Sequence, residues 1–73
     1  MKVIYDRGTD TLSIILRPGN VAASDEVREG LIMDYDKIGQ LISIELLDAS
    51  EQVNRPHAVE FSMAGTEEKA GQS

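Results

Sequence analysis

The sequence predicts a small α+β fold: an antiparallel β-meander of about four strands with one short helix after the last meander strand. Three observations carry this reading. Residues 31–47, LIMDYDKIGQLISIELL, are two apolar runs joined by Asp36-Lys37-Ile38-Gly39. This is a hairpin signal, with Asp36 able to bond the turn backbone and Gly39 suited to the φ > 0 position of a type I turn with a G1 bulge. Two shorter strand-like runs precede it, each followed by a polar turn. The hydrophobic period then changes after Leu47, at Asp48-Ala49-Ser50-Glu51, whose spacing is that of a capping box.

Taken in order, residues 2–5 form the first strand, with Val3 and Tyr5 on one face and Ile4 on the other. Asp6 to Asp10 is a polar turn whose two end carboxylates cap its backbone. Residues 11–16 follow, with Leu12, Ile14 and Leu16 on one face. Arg17-Pro18-Gly19-Asn20 stops that strand, because Pro donates no ladder hydrogen bond and Gly takes turn geometry readily. Residues 21–27 lack helical periodicity and read as an irregular segment or a short edge strand. Residues 27–34 read as the third strand, with Gly30 marking a bulge or a close backbone approach. Residues 40–47 place Ile42, Ile44 and Leu46 on one face and Leu41, Ser43, Glu45 and Leu47 on the other. Asp48 and Glu51 are the expected reciprocal caps of a short helix ending before Pro56. Residues 58–63 alternate weakly and read as an extra C-terminal strand or arm. The domain is expected over 1–63, with a polar tail over 64–73.

Seventy-three residues with 13 acidic and 7 basic side chains give a net charge of −6, and there is no cysteine. No disulfide or thiolate metal site can staple so short a chain, so one small core must hold it, which favours an oligomer more than a longer chain would. The acids are dispersed, which suits a soluble acidic surface. The charge opposes non-specific nucleic-acid binding, because phosphate carries the same sign. The opening MKVIYD contains neither a secretory signal nor a membrane span, and the cytoplasm is the expected compartment.

Chemistry is sparse. Counting Asp34 as position 1 puts Asp36 at 3, Gly39 at 6 and Glu45 at 12, the offsets of an EF-hand calcium loop. Ile38 occupies position 5, where an oxygen ligand belongs, and the flanks read as strands rather than helices. The hairpin reading is therefore preferred, and Asp34, Asp36 and Glu45 stand as secondary candidates for a divalent cation. Asp34 and Asp36 are expected on the surface and in the turn. His57 is the only histidine and lacks metal-ligating partners; Ser50 belongs to the helix start. No catalytic residue, metal or cofactor is assigned, and the structural roles fall to Asp36, Gly39, Asp48 and Glu51.

Tyr5-Asp6, Asp10-Thr11-Leu12, the run Gly30 to Asp36, Gly39 and the run Ile42 to Ser50 together resemble a widespread prokaryotic family of very short proteins catalogued as a domain of unknown function. The resemblance covers about the first fifty residues. It implies a small β-meander with a short helix after the last strand, and no accepted enzyme activity. Some members of such families look like partners of neighbouring small proteins, including toxin-like ones. The expected function is a non-enzymatic structural or protein-interaction module that self-associates as a homodimer. The alternatives are an acidic regulatory partner of a small basic, toxin-like protein, and a weak divalent-cation or small-molecule binder.

Overall fold

The computed structural model describes residues 1–65. It contains five strands, β1 (Lys2–Asp6), β2 (Thr11–Ile15), β3 (Ala23–Arg28), β4 (Leu31–Tyr35) and β5 (Leu41–Leu46), and one helix, α1 (Ala49–Gln52). They form a single antiparallel sheet in the order β1-β2-β5-β4-β3. The α+β class with a short helix after the strands is thus observed. β5 lies at the centre, between β2 and β4, so the chain from Leu16 to Ala22 crosses one end of the sheet to start the far edge. That crossover is tied down by Leu16 N–H donating to Ile42 O and Ala22 N–H donating to Tyr35 O.

The expected strand over 27–34 is two strands in the structure. Glu29 and Gly30 turn the chain between β3 and β4, and a register shift between Glu26 and Arg28 adds a bulge beside the turn. A glycine between Val27 and Leu31 fits a bulge as well as a turn; the structure makes it the turn, with Gly30 at φ 81°. Segment 21–27 resolves as the edge strand β3, exposed along its whole length.

The β4–β5 turn is built from Asp36 and Gly39. Gly39 N–H donates to Asp36 O, and Asp36 Oδ1 accepts from Ile38 N–H and Gln40 N–H. Gly39 has φ 88° and open space where a Cβ would stand. Gly39→Val therefore suffers backbone strain alone. A loss of about 1–2 kcal/mol is expected in denaturant melts.

Pairing fixes what each face presents, because residues opposite one another in the ladder share a face. One face carries two rows that are apolar over four strands and end in a charge on β3, Tyr5–Leu12–Leu46–Leu31–Arg28 and Val3–Ile14–Ile44–Met33–Asp25. A register shift beside Tyr35 sets Leu41 opposite that tyrosine and moves it onto the apolar face. This corrects the strict alternation expected for β5, since the extra residue in a bulge shifts the parity of what precedes it. The other face carries the rows Ile4–Ser13–Glu45–Ile32–Glu26 and Lys2–Ile15–Ser43–Asp34–Ser24.

The sheet is thinly covered. Among the described residues Leu12, Ile42 and Ala49 are the buried hydrophobic ones, and no large side chain is fully enclosed. Ile42 lies under the crossover, where a Cβ on Gly19 would sit 3.0 Å from its Cδ1. α1 is only four residues long and sits at the other end of the sheet, with Ala49 N–H donating to Asp10 O. Residues 57–65 are exposed and lie outside the sheet, so 58–63 is an arm rather than a sixth strand. Most of the expected 64–73 tail lies outside the described residues.

Candidate functional site

The helix start shows how distant residues are brought together. Asp48 adopts left-handed geometry (φ 51°, ψ 49°) and makes no side-chain cap bond, so the expected Asp48–Glu51 capping box does not form. An N-cap residue needs extended backbone to aim its carboxylate at the first turn, which a left-handed residue cannot do. Asp10 does this work instead, from the β1–β2 turn. Its carboxylate accepts from Ser50 N–H at 3.1 Å, from Ser50 Oγ at 2.7 Å and from Tyr5 Oη at 2.7 Å. The bonds from Ser50 and Tyr5 hold the Asp10 carboxyl below its ordinary range, and the bond to Asp10 pushes the Tyr5 phenol up. Asp6 caps its own turn by accepting from Gly8 N–H. This cluster is a clasp between the first turn and the helix; its polar atoms are occupied by one another.

The second polar cluster is on the face opposite the apolar rows. Asp34 is 2% exposed, which corrects its expected surface position. Register places it between Ser24 of β3 and Ser43 of β5. Ser24 Oγ donates to Oδ1 at 2.6 Å and Ser43 Oγ donates to Oδ2 at 2.7 Å. Glu45 lies two residues beyond Ser43, on the diagonal to Asp34, within reach of its carboxylate. Burial opposes ionisation of Asp34, but the hydrogen bonds from Glu45, Ser24 and Ser43 outweigh it and hold its carboxyl below the usual range. The hydrogen bond to Asp34, then burial and the adjacent charge, raise Glu45. The two carboxyls are thus shifted in opposite directions, Asp34 down and Glu45 up.

The sign of the pH dependence follows. Asp34 stabilises the fold above its unfolded pKa, and that contribution is lost as pH falls through its lowered folded value. Glu45, raised on folding, contributes fully below its unfolded pKa and loses that contribution as pH rises through its folded value. Glu45→Gln keeps a donor beside Asp34 and removes the alkaline loss. Its melting midpoint is expected above that of the wild type at pH 7, with the difference shrinking as the pH falls to 4. Thermal melts across that range check this; an equal or lower midpoint at pH 7 counts against the upward shift of Glu45.

The trio Asp34, Asp36 and Glu45 is divided by the fold. Asp34 and Glu45 meet, whereas Asp36 closes its own turn. Among the described residues no group of three or more His, Cys, Asp or Glu side chains is placed to hold a metal ion. Ser24 and Ser43 were invisible as partners of Asp34, because their alignment depends on the registers of three strands. His57 is exposed. A shallow groove of about 250 Å³, lined by Met1, Lys2, Ile15, Leu16, Arg17 and Pro18, lies beside the start of β1. Among the described residues no helix is long and apolar enough to cross a membrane.

No match was found among curated proteins or among solved structures. A family model described as "Protein of unknown function (DUF2283)" matches residues 2–50, from β1 to the first turn of α1 and more than half of the chain; the chain therefore belongs to that family.

Proposed function

We propose that the chain is a non-enzymatic self-association module whose apolar sheet face is closed by a second copy. One observation carries this reading: the two rows are apolar across β1, β2, β5 and β4, ending at Arg28 and Asp25 on β3, and only Leu12 among their eight apolar residues is buried. A one-faced sheet is stable when that face is covered, typically by another sheet at about 10 Å. A two-fold axis through the face brings each row onto the same row of the partner, which is the self-complementarity of an isologous dimer. Each copy carries −6, so the pair repels at long range and associates more tightly as salt screens that charge.

Light scattering over a concentration series is expected to approach twice the 8.0 kDa chain mass, at lower protein concentration in high salt than in low. A mass that stays at one chain at the highest concentration rejects the dimer. Ile44→Glu, on the central strand of the apolar face, is expected to abolish the dimer while retaining the β circular-dichroism signal.

The exposed β3 edge, with Asp25, Glu26 and the adjacent Glu29, supports a second reading, an acidic surface that meets a small basic protein. Charge of this kind speeds encounter and selects partners more than it adds affinity. Recovery of a basic partner that is lost on Asp25→Lys/Glu26→Lys is the test.

A further inference from the structure

We infer that the arm Ala58–Met63 of one copy adds as a sixth strand to the β1 edge of a second copy, a placement that rests on the self-association reading. The arm has the pattern of a strand without the pairing. Val59, Phe61 and Met63 recur at every second residue and are 62%, 78% and 83% exposed. Pro56 is buried at its base, Arg55 turns the chain with φ 61°, and Ala58 N–H donates to Arg55 O, so the arm leaves its own body from a fixed point. An extended segment with alternate apolar anchors is the form that adds to an open sheet edge.

The sheet has two edges, and they differ. The β3 edge is blunted by a bulge and by Asp25 and Glu26, the devices that keep an edge from pairing. Those acids also repel Glu60 of the arm. The β1 edge pairs with β2 residue for residue without a bulge and leaves Val3 and Ile4 39% and 42% exposed. It ends at the groove that Met1, Leu16 and Pro18 line with Lys2 and Arg17, a volume below that of a drug-sized ligand site.

An antiparallel register that sets Val59 beside Val3 satisfies all of these features together. Glu60 then falls beside Lys2, Phe61 falls beside Met1 at the groove, and Val59 extends the apolar row Val3–Ile14–Ile44–Met33 by one residue. A shift by one residue sends Phe61 to the opposite face and separates Glu60 from Lys2.

The chain has no cysteine, so introduced thiols report unambiguously. Val3→Cys and Val59→Cys chains, each confirmed as folded by circular dichroism, are mixed in equal amounts and oxidised mildly. The mixed disulfide between the two variants is expected to exceed both same-variant disulfides several-fold. The Val3→Cys/Val59→Cys double variant is expected to give covalent dimers on a non-reducing gel. Phe61→Asp is expected to raise the dimer Kd at least about tenfold, as loss of a buried aromatic anchor does. A statistical mixture of disulfides, or a double variant that closes within one chain, overturns the arm placement. A wild-type dimer with either result leaves the face-mediated reading standing, whereas a monomeric wild type overturns both.

Discussion

Gly30→Val is expected to cost about 3–5 kcal/mol, measured as a shift in the denaturant midpoint at unchanged slope. Two independent effects add. The first is conformational: Gly30 has φ 81°, a region that a β-branched side chain enters only with strain. The second is steric. A Cβ at this position would stand 2.8 Å from Gln52 Nε2 and 3.3 Å from Leu47 O. The Gln52 amide is held there because it donates to Gly30 O at 2.9 Å and to Leu47 O at 2.6 Å, while Leu47 N–H also donates to Gly30 O. A side chain at 30 displaces the amide and leaves those carbonyls short of a donor. Gly30 thus joins the β3–β4 turn to the exit of β5 and the last residue of α1. Small domains hold roughly 0.05–0.15 kcal/mol per residue, so this loss is a large part of the whole. Gly30→Asn separates the two effects, because Asn tolerates left-handed geometry yet still carries a Cβ. Gln52→Ala removes the amide and keeps the glycine, and about 1–2 kcal/mol is expected for its two bonds. If Gly30→Val costs no more than Gly39→Val, whose Cβ meets nothing, the steric contribution is wrong.

These residues also show what local sequence conveys and what it does not. The alternation in 2–5, 11–15 and 42–46 and the Asp36–Gly39 turn are signals between near neighbours and lie where the pattern places them, whereas the bulge beside Tyr35 moves Leu41. The turn at Glu29 and Gly30 is hidden because a glycine between Val27 and Leu31 also fits a bulge within one strand, and only the pairing of β3 with β4 decides between them. Spacing points to Asp48 as the cap on α1, yet the carboxylate comes from Asp10, forty residues before the Ser50 that it accepts from. No local pattern encodes that approach; it follows from β5 pairing with β2, which carries the helix start to the β1–β2 turn. The Ser24–Asp34–Ser43 row is hidden for the same reason. In sequence Asp34 is one of two acids flanking a tyrosine beside a turn, and only the joint register of β3, β4 and β5 encloses it.

That enclosure makes Asp34→Ala the second large expected effect, a loss of about 2–4 kcal/mol at pH 7. The wild-type carboxylate accepts two short bonds from serine hydroxyls, at 2.6 and 2.7 Å, and bonds to a charged acceptor are about twice as strong as neutral ones. Truncation removes both and leaves Ser43, itself 7% exposed, without its acceptor. It also relieves Glu45 of the neighbour that raises its pKa, which offsets part of the loss at neutral pH. Asp34→Asn divides these contributions. The amide fills the same space and keeps one acceptor for a serine, so its loss is expected to be about half that of the alanine variant. Both variants should flatten the pH dependence of stability between pH 3 and 7, since neither leaves a carboxyl pair to titrate. The measurement is a set of denaturant melts at several pH values. If Asp34→Ala is neutral, or if Asp34→Asn keeps the wild-type pH profile, the buried row does not stabilise the sheet through the Asp34–Glu45 carboxyl pair. The placement of this row on the face away from the apolar rows gives the test a further use. Loss of Asp34 is expected to lower stability without changing the dimer Kd beyond what unfolding accounts for, whereas Ile44→Glu breaks the dimer. A variant on the polar face that dissociates the dimer as strongly as Ile44→Glu would place the interface on the wrong side of the sheet.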